Sequence, residues 1–255
     1  MKWIPWRAFV LALILCIGSA ATLAAQTSQE TTLIMVTEVW PPYRMDDPAS
    51  PSGFRGIDID LCLALEKRLG IRIDIQRVPW ARALDMMKSG QADIITGIAR
   101  TSEREAFLHY LPTSYSVVRP MFLAPKGQGS LVRSYDDLYG KSIGQSTHSA
   151  YFPRFNTDNA LNKQSLSTET QILQMLALKR IDLAIGTDPN LSWDIARLGL
   201  RDSVEPTAWQ PEERTELFLA ISRKSPAAAL LERMDAALRA MIADGSIAAI
   251  QAAYR

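Results

Sequence analysis

The chain of 255 residues is poor in the side chains that hold metals and perform redox chemistry, with only two cysteines and two histidines. Its carboxylates show no spacing typical of metal ligands, and the sequence contains no HExxH, CxxC or phosphate-binding glycine motif. These absences argue against a metal site and against the common hydrolytic and redox centres. We therefore expect no metal, no cofactor and no catalytic residue.

An excess of charge of one sign is also missing from the sequence. The 28 Lys and Arg residues nearly balance the 27 Asp and Glu residues, which leaves a formal net charge of +1. Proteins that bind nucleic acids concentrate positive charge to neutralise phosphates. We therefore expect no nucleic-acid partner.

A long apolar run occurs at the N-terminus. Residues 1–25 begin with basic side chains, continue through an apolar stretch and end in small residues. This pattern is typical of a secretory signal peptide rather than of a membrane span, and we predict cleavage near Ala25 and a periplasmic mature protein. Lipid attachment at Cys16 is the alternative, but bulky residues directly precede that cysteine. Cys62, on the apolar face of a predicted helix, is then expected to be a small core residue.

Predicted strands and helices alternate along the rest of the chain. The pattern begins with a strand at 32–37, a helix at 57–69 and a strand at 71–78, restarts after Asp136, and closes with a helix at 226–244. Such alternation indicates parallel sheets with helical crossovers. We predict an α/β protein of two lobes, each a mostly parallel sheet flanked by helices, with two hinge crossings and a cleft between the lobes. The predicted lobes comprise residues 26–123 with 218–255, and residues 124–217.

The segment from 79 to 104 carries the strongest functional signal. Trp80 precedes a predicted helix, and Arg104 follows a predicted buried strand at 92–98. In open α/β sheets, ligands bind beyond the carboxyl ends of the strands. A guanidinium matches a carboxylate with two parallel hydrogen bonds, so Arg104 is a candidate anchor for an acidic ligand. The alternative is that Arg104 pairs with Glu103 or Glu105 on a solvated helix start.

Other polar and aromatic residues also follow predicted strands. Glu38, Trp40 and Tyr43 come after the first strand, where the aromatic rings form either a platform for a solute or packing contacts. Asp188 follows a later strand, where it either accepts a ligand ammonium or caps the helix that begins near Leu191. These residues extend the candidate site to both predicted lobes.

From about residue 31 to 255, the chain resembles the bacterial extracellular solute-binding proteins of family 3, which are periplasmic receptors of ABC importers for polar amino acids. The resemblance rests on seven blocks in family order, among them VTEVWPPY, GIDIDLCLALEKRLG, GQADIITGIARTSER and LKRIDLAIGTD. It implies the type II periplasmic binding protein fold. It also implies a small-molecule solute and a membrane permease as partners, and we expect the protein to be a monomer.

The resemblance assigns roles to individual residues. Trp40 and Trp80 match the aromatic positions that sandwich the ligand, and Arg104 matches the residue that binds its carboxylate. The remaining implied contacts come from the backbone of Gly97 and Ala99 and from Ser146 and Thr147, which close over the carboxylate.

The sequence departs from the family at the positions that bind an α-ammonium. Where amino-acid binders carry an acidic residue, this chain has Thr37 and Thr187, with Glu38 and Asp188 one place along. A carboxylate ligand is therefore expected, and the presence of an α-ammonium on it stays open.

The resulting hypothesis is a receptor that captures a small carboxylate-bearing solute, an amino acid or a related compound, and delivers it to an ABC importer. One alternative is an enzyme similar to periplasmic cyclohexadienyl dehydratases, which share the fold and need an acid in the cleft, here Glu169 or Asp188. The other alternative is a detached ligand-sensing module for a membrane receptor.

Overall fold

The structure, a computed structural model, describes residues 31–254. The predicted signal peptide, residues 1–25, lies outside the described residues. The strands are β1 (Thr32–Thr37), β2 (Met45–Asp46), β3 (Phe54–Arg55), β4 (Arg72–Arg77), β5 (Ile94–Ile98), β6 (Leu108–Tyr110), β7 (Ser116–Pro125), β8 (Ser142–Ser146), β9 (Asn162–Leu166), β10 (Leu183–Asp188), β11 (Val204–Pro206) and β12 (Thr215–Ser222).

Helices connect most of these strands. The α-helices are α1 (Ile57–Leu69), α2 (Trp80–Ser89), α3 (Ser102–Glu105), α4 (Pro153–Thr157), α5 (Glu169–Ala177), α6 (Asn190–Arg197), α7 (Leu231–Ala243) and α8 (Ser246–Ala252), and short 3-10 helices occupy Gly129–Leu131, Tyr135–Leu138 and Pro226–Leu230. Within residues 31–254, none of the helices has the length and apolar character needed to cross a bilayer.

The first half of the sheet consists of β4, β1 and β5, which run parallel, together with the end of β12, which runs antiparallel to β5 and also pairs antiparallel with β6. Both faces of this half are apolar because helices cover both. Met35 and Val36, which are neighbours on β1, enter two different core clusters. Side chains alternate between the faces of a strand, so this half has one core on each side.

The second half of the sheet has the same two-sided construction. Strands β8 and β9 pair in parallel, β10 pairs in parallel with β8, and β7 runs antiparallel to β10 and β11. Ile185 and Ala184, neighbours on β10, again enter two separate core clusters.

Two strands, β7 and β12, belong to both halves. The first residues of β7 pair with Thr215, Glu216 and Leu217 of β12, and its remaining residues pair with β10 and β11. The predicted lobe boundaries, 123/124 and 217/218, fall within these shared strands. The exact position of each boundary stays a prediction.

The elements agree with the predicted alternation and differ from it in detail. The helix predicted at 57–69 is α1, with Gly70 in the left-handed conformation at its end. The helix predicted at 226–244 is instead a 3-10 turn at Pro226–Leu230 followed by α7, and α8 lies beyond the predicted range. Ser225 caps the turn by accepting a hydrogen bond from the N–H of Ala227, and Gly245, with a φ of 80°, separates α7 from α8.

Cys62 lies in the core of the first half. It is 1% exposed, and its sulfur lies 3.4 Å from the sulfur of Met35. Burial raises the pKa of the Cys62 thiol far above its usual range, which disfavours the reactive thiolate. The predicted core role of this cysteine is confirmed.

Candidate functional site

A cavity of about 60 Å³ lies where β1, β5, β8 and β10 end, between residues of the two halves. Eight of the ten predicted site residues line it: Glu38, Trp40, Trp80, Gly97, Ala99, Arg104, Ser146 and Thr187. Glu38, Trp40 and Ser146 also border an adjoining groove of about 710 Å³. The cavity therefore adjoins the larger groove on the side of these three residues.

Arg104 is buried in the wall that the first half contributes. The short helix α3 carries it, and Thr101 caps this helix by accepting a hydrogen bond from the Arg104 N–H. Its guanidinium donates to the carbonyl oxygen of Ala99 at 2.9 Å and to that of His148 at 2.8 Å. The guanidinium carbon lies 5.6 Å from the centre of the Trp80 ring. Trp80 and Arg104, 24 positions apart in sequence numbering, thus meet at one wall of the cavity.

The charge of Arg104 has no carboxylate partner within 4.0 Å among the described residues. Glu105 pairs instead with Arg100, at 3.4 Å. Arg104 is only 5% exposed, and desolvation lowers its pKa. The alternative in which Arg104 forms a solvated ion pair with a neighbouring glutamate is therefore wrong. A buried guanidinium that faces a cavity is suited to receive an anionic group.

The backbone of His148 links the second half to this wall. Its carbonyl oxygen accepts hydrogen bonds from both Arg104 and the Trp80 indole, the latter at 3.4 Å. His148 has a φ of 59°, in the left-handed region. A second contact between the halves comes from Asn190, whose side-chain NH₂ donates to the carbonyl oxygen of Pro41 at 3.0 Å. The cavity is therefore enclosed by contacts from both halves.

A buried ion pair, which sequence reasoning missed, lies under the first wall. Arg44 and Asp58 approach to 2.5 Å, and they are 2% and 0% exposed. Asp58 also accepts hydrogen bonds from the hydroxyls of Thr96 at 2.8 Å and Tyr115 at 2.6 Å. The guanidinium carbon of Arg44 lies 5.0 Å from the centre of the Trp40 ring. This network fixes the loop after β1 against the end of β5.

Gly97 is required by this network. It has a φ of 63°, and a Cβ atom at this position would collide with the Arg44 guanidinium. Its N–H donates to the Tyr115 hydroxyl at 2.7 Å, so this backbone donor is already engaged within the protein. The carbonyl oxygen of Ala99 is engaged as well, by Arg104 and by the Tyr110 hydroxyl at 3.0 Å.

Two glutamates line the cavity, one from each half. Glu38 is partly buried, and desolvation raises its pKa to about 7 against the opposing charge of Arg44. Glu169, at the start of α5, was predicted only for the enzyme alternative. Desolvation raises its pKa well above the usual range, with smaller contributions from the negative charges of Asp194 and Glu38, while a hydrogen bond from Trp40 opposes the shift.

Three buried side-chain oxygens on the second half lack a hydrogen-bond partner among the described residues: Glu169 Oε2, the hydroxyl oxygen of Thr187 and Asn190 Oδ1. Of these residues, Glu169 and Thr187 line the cavity. An unpaired buried polar atom is costly, so each is a candidate contact for a bound molecule.

Two predicted site residues lie outside the cavity. The Thr147 hydroxyl donates to the carbonyl oxygen of Leu166 at 3.0 Å. Asp188 follows Thr187 on β10, so it points to the other face of the strand, where it accepts a hydrogen bond from the Ser192 hydroxyl. The predicted capping role of Asp188 is not observed, because Pro189 occupies the N-cap position of α6 and no side chain caps this helix.

The aromatic residues after β1 have separate roles. Tyr43 is buried, stacks on Trp40 with ring centres 4.7 Å apart, and pairs its hydroxyl with that of Ser116 at 2.8 Å. Trp40 lines the cavity. Tyr43 is therefore the packing support, and Trp40 presents the aromatic surface.

Tyr151 and Thr215 also line the cavity, and sequence reasoning missed both residues. The Tyr151 hydroxyl accepts a hydrogen bond from the Ser146 N–H at 3.1 Å, and the Tyr151 carbonyl oxygen accepts one from the Thr215 hydroxyl at 2.8 Å.

Among residues 31–254, no group of three or more His, Cys, Asp or Glu side chains is arranged to hold a metal ion.

Comparisons with known proteins place this geometry in a family. The arginine-binding extracellular protein ArtP of Bacillus subtilis is 27% identical over 149 residues, which is 56% of this chain and 54% of ArtP. The chain spans about half the length of the curated relatives it matches.

Solved structures share the fold. An amino acid ABC transporter substrate-binding protein from Streptococcus pneumoniae, AbpA bound to L-arginine, has a TM-score of 0.74 at 16% identity, covering 89% of this chain and 94% of that chain. A histidine kinase sensor domain with similarity to periplasmic binding proteins has a TM-score of 0.75 at 19% identity, covering 89% and 96%. The predicted two-lobe type II periplasmic binding protein fold is confirmed.

The sequence model of the family described as "Bacterial extracellular solute-binding proteins, family 3" matches residues 33–255, which is most of the chain. The protein therefore belongs to this family of solute-binding proteins.

Proposed function

We propose that this protein is a periplasmic receptor that captures a small carboxylate-bearing solute, an amino acid or a related compound, and delivers it to the permease of an ABC importer. One observation carries this proposal: Arg104 is buried beside the cavity, and no described carboxylate lies within 4.0 Å of its charge. A ligand carboxylate supplies the missing partner.

Binding proceeds in two stages in this proposal. The solute first pairs with Arg104 and packs against Trp80 and Trp40, which belong to the first half. Interactions with the second half, such as those of Ser146 and Thr187, then favour the closed arrangement. Only interactions that form on closure shift the equilibrium between open and closed states.

The relatives and the cavity size both support a small amino-acid-like solute. Curated relatives are named as binding proteins for arginine, cystine and histidine. The cavity, at about 60 Å³, has room for roughly four to six water molecules, because each needs about 10–15 Å³. It therefore suits a compact solute or the charged end of a longer one that extends into the adjoining groove.

The protein acts in the periplasm as a monomer in this proposal, after removal of residues 1–25. N-terminal sequencing of secreted protein tests the cleavage near Ala25. Light scattering with and without solute tests the monomeric state.

Substitution of Arg104 tests the carboxylate site. A thermal-shift screen with amino acids, opines, dicarboxylates and small aromatic acids first identifies binders, since a ligand of the folded state raises its apparent stability. We expect Arg104→Ala to weaken binding by about 2–5 kcal/mol. Arg104→Lys should recover part of this loss, because it restores the charge but not the planar fork.

Arg100→Ala is the matched control, because Arg100 is a nearby arginine that is 44% exposed and pairs with Glu105. Calorimetry should give near wild-type affinity for this control. Unchanged affinity in Arg104→Ala would overturn the site assignment.

The position of Glu169 supports a second candidate function, that of a periplasmic enzyme similar to cyclohexadienyl dehydratases. Burial raises the pKa of this carboxyl well above its usual range, and a buried acid beside a cavity is suited to general acid catalysis. Incubation with prephenate or arogenate tests this candidate by detection of the aromatic product. Absence of product removes it.

A further inference from the structure

We propose that the solute is a zwitterion and that Glu169 receives its cationic group. This inference rests on the proposed function, in which Arg104 binds the carboxylate of the same solute. Arg104 and Glu169 line one cavity, yet they are not within ion-pair distance of each other in the described chain. The cavity thus offers one buried cation and one buried acid, each toward a different part of a bound molecule.

The unpaired oxygen of Glu169 is the first argument for this assignment. Its Oε2 is inaccessible to solvent and has no hydrogen-bond partner among residues 31–254. A protein rarely leaves a carboxyl oxygen buried and unpaired, because the lost hydration is not recovered. A donor on the ligand supplies the missing hydrogen bond.

Thr187 supplies a second acceptor in the same cavity. Its side chain is 7% exposed, and its hydroxyl oxygen also lacks a partner in the described part of the chain. An ammonium group has three donors and no acceptor. A carboxylate and a hydroxyl on the wall of the second half therefore suit an ammonium better than a neutral group with one donor.

The charges around Glu169 also favour a cation. Asp194 and Glu38 are the acidic groups that act on it, and Arg44 is the basic group. Arg44 is neutralised by Asp58 at 2.5 Å, and Asp194 is paired with Arg197 at 2.9 Å. Glu38 keeps its own negative charge only in part, because its pKa is about 7. The neighbouring Tyr151 is a neutral phenol, whose pKa is raised by burial.

This assignment resolves the departure from the family pattern. Thr37 and Thr187 carry no charge, and Asp188 points away from the cavity to Ser192. Glu169 reaches the cavity from the start of α5, a different element from β10. The acid that an ammonium requires is therefore present, but it comes from another part of the second half.

Matched pairs of probes test the assignment. Each α-amino acid is compared with the acid that lacks its amino group: L-alanine with propionate, L-phenylalanine with 3-phenylpropionate, and L-glutamate with glutarate. Calorimetry and thermal shift are measured for the wild type, Glu169→Gln and Arg104→Ala. Glu213→Gln, at an exposed position, is the control for loss of one glutamate.

We expect at least one amino acid to bind the wild type at least tenfold more tightly than its deaminated partner. Glu169→Gln should remove most of this preference and leave the deaminated acid unaffected. Equal binding of both members of every pair, or an unchanged preference in Glu169→Gln, would overturn the assignment. In those cases the proposed function still stands if Arg104→Ala abolishes binding of the deaminated acids, and it fails if Arg104→Ala binds all probes normally.

Proton release on solute binding distinguishes the proposed role of Glu169 from a merely structural role, which would not change the number of protons released. Burial raises the pKa of Glu169, and a cation bound beside this carboxyl favours its ionised form and so lowers that pKa. Calorimetry near pH 7 in two buffers of different ionisation enthalpy should show release of up to one proton by the wild type and less by Glu169→Gln. Equal proton release by the two proteins would contradict the assignment.

Discussion

The two walls of the cavity differ in how completely their polar groups are paired. On the first half, Arg44, Asp58, Thr96 and Tyr115 form one buried network, and Arg104 is held by backbone carbonyls. On the second half, Glu169 and Thr187 each present a buried oxygen without a partner among the described residues. The first wall is therefore preorganised, whereas the second wall keeps two buried oxygens unpaired within the described part of the chain.

This difference suggests an order of events. A preorganised wall binds without reorganisation, so it is suited to make the first encounter. A wall with unpaired groups is stabilised by what it binds, so its approach is coupled to occupancy. Variants that disturb one wall at a time can break or sharpen this comparison.

The largest effect should come from Asp58→Asn, which removes the charge at the centre of the first wall. Breaking one side of a buried ion pair typically costs about 3–5 kcal/mol. We expect a loss of this size in the free energy of unfolding, measured in urea. The control is Asp46→Asn, whose pair with Arg77 is 51% and 58% exposed and should contribute at most about 1 kcal/mol. Similar losses in both variants would contradict a preorganised first wall.

Gly97→Ala should be the next most damaging change. Alanine in a left-handed conformation costs roughly 1–2 kcal/mol by itself, and at this position its Cβ would also displace Arg44. Gly199→Ala is the matched control, because its φ of 67° is similar and nothing lies within 4 Å of the added Cβ. The difference in unfolding free energy between the two variants therefore measures the cost of the contact between the added Cβ and Arg44. Equal losses would show that the network tolerates the displacement.

The pH dependence of the free energy of unfolding should depend on one glutamate in each wall, Glu38 in the first and Glu169 in the second. Burial raises the pKa of Glu38 from 4.5 to about 7 and raises that of Glu169 as well. The folded protein then holds protons that the unfolded chain has already lost, so stability falls as pH rises from about 4.5 through about 7. Thermal unfolding between about pH 5 and 8 should show this fall in the ligand-free protein.

Glu38→Gln and Glu169→Gln should each flatten the profile, whereas the exposed control Glu213→Gln should not. A profile that rises over this range in the wild type would contradict the assigned shifts. A zwitterionic solute should reduce the contribution of Glu169, because its cation favours the ionised carboxyl.

The smallest effect should come from Asn190→Ala, which removes the hydrogen bond to the Pro41 carbonyl between the two halves. One hydrogen bond contributes about 0.5–1.5 kcal/mol, so we expect a loss of solute affinity of about two- to tenfold. Ser192→Ala is the control on the same helix, since Ser192 bonds to Asp188 within the second half. Wild-type affinity in Asn190→Ala would mean that this contact does not contribute to closure.

Much of the architecture could be predicted because it depends on local signals. The helix at 57–69 combines apolar periodicity with Gly70 at its end, and its observed bounds agree with the prediction. Trp80 and Arg104 were placed at the site because the ends of parallel strands converge. The 3-10 turn that begins the closing helix was missed, because the choice between a 3-10 turn and an α-helical turn is decided by packing rather than by periodicity.

The site was less predictable wherever it depends on side-chain direction or on distant partners. Thr187 and Asp188 are neighbours on β10, and the strand sends only one of them into the cavity. The Arg44 and Asp58 pair depends on a loop that folds back against β5. Glu169 lines the same cavity as Trp40, a residue of the first half, so its environment exists only in the folded chain.

The carbonyl of His148 has a further consequence for how the sequence can vary. The group that Arg104 and Trp80 contact belongs to the main chain, so every amino acid carries it. The selective constraint at this position is therefore on the left-handed backbone, which glycine and asparagine also adopt readily. A substitution scan that removes side chains would therefore pass over a contact between the two halves of the molecule.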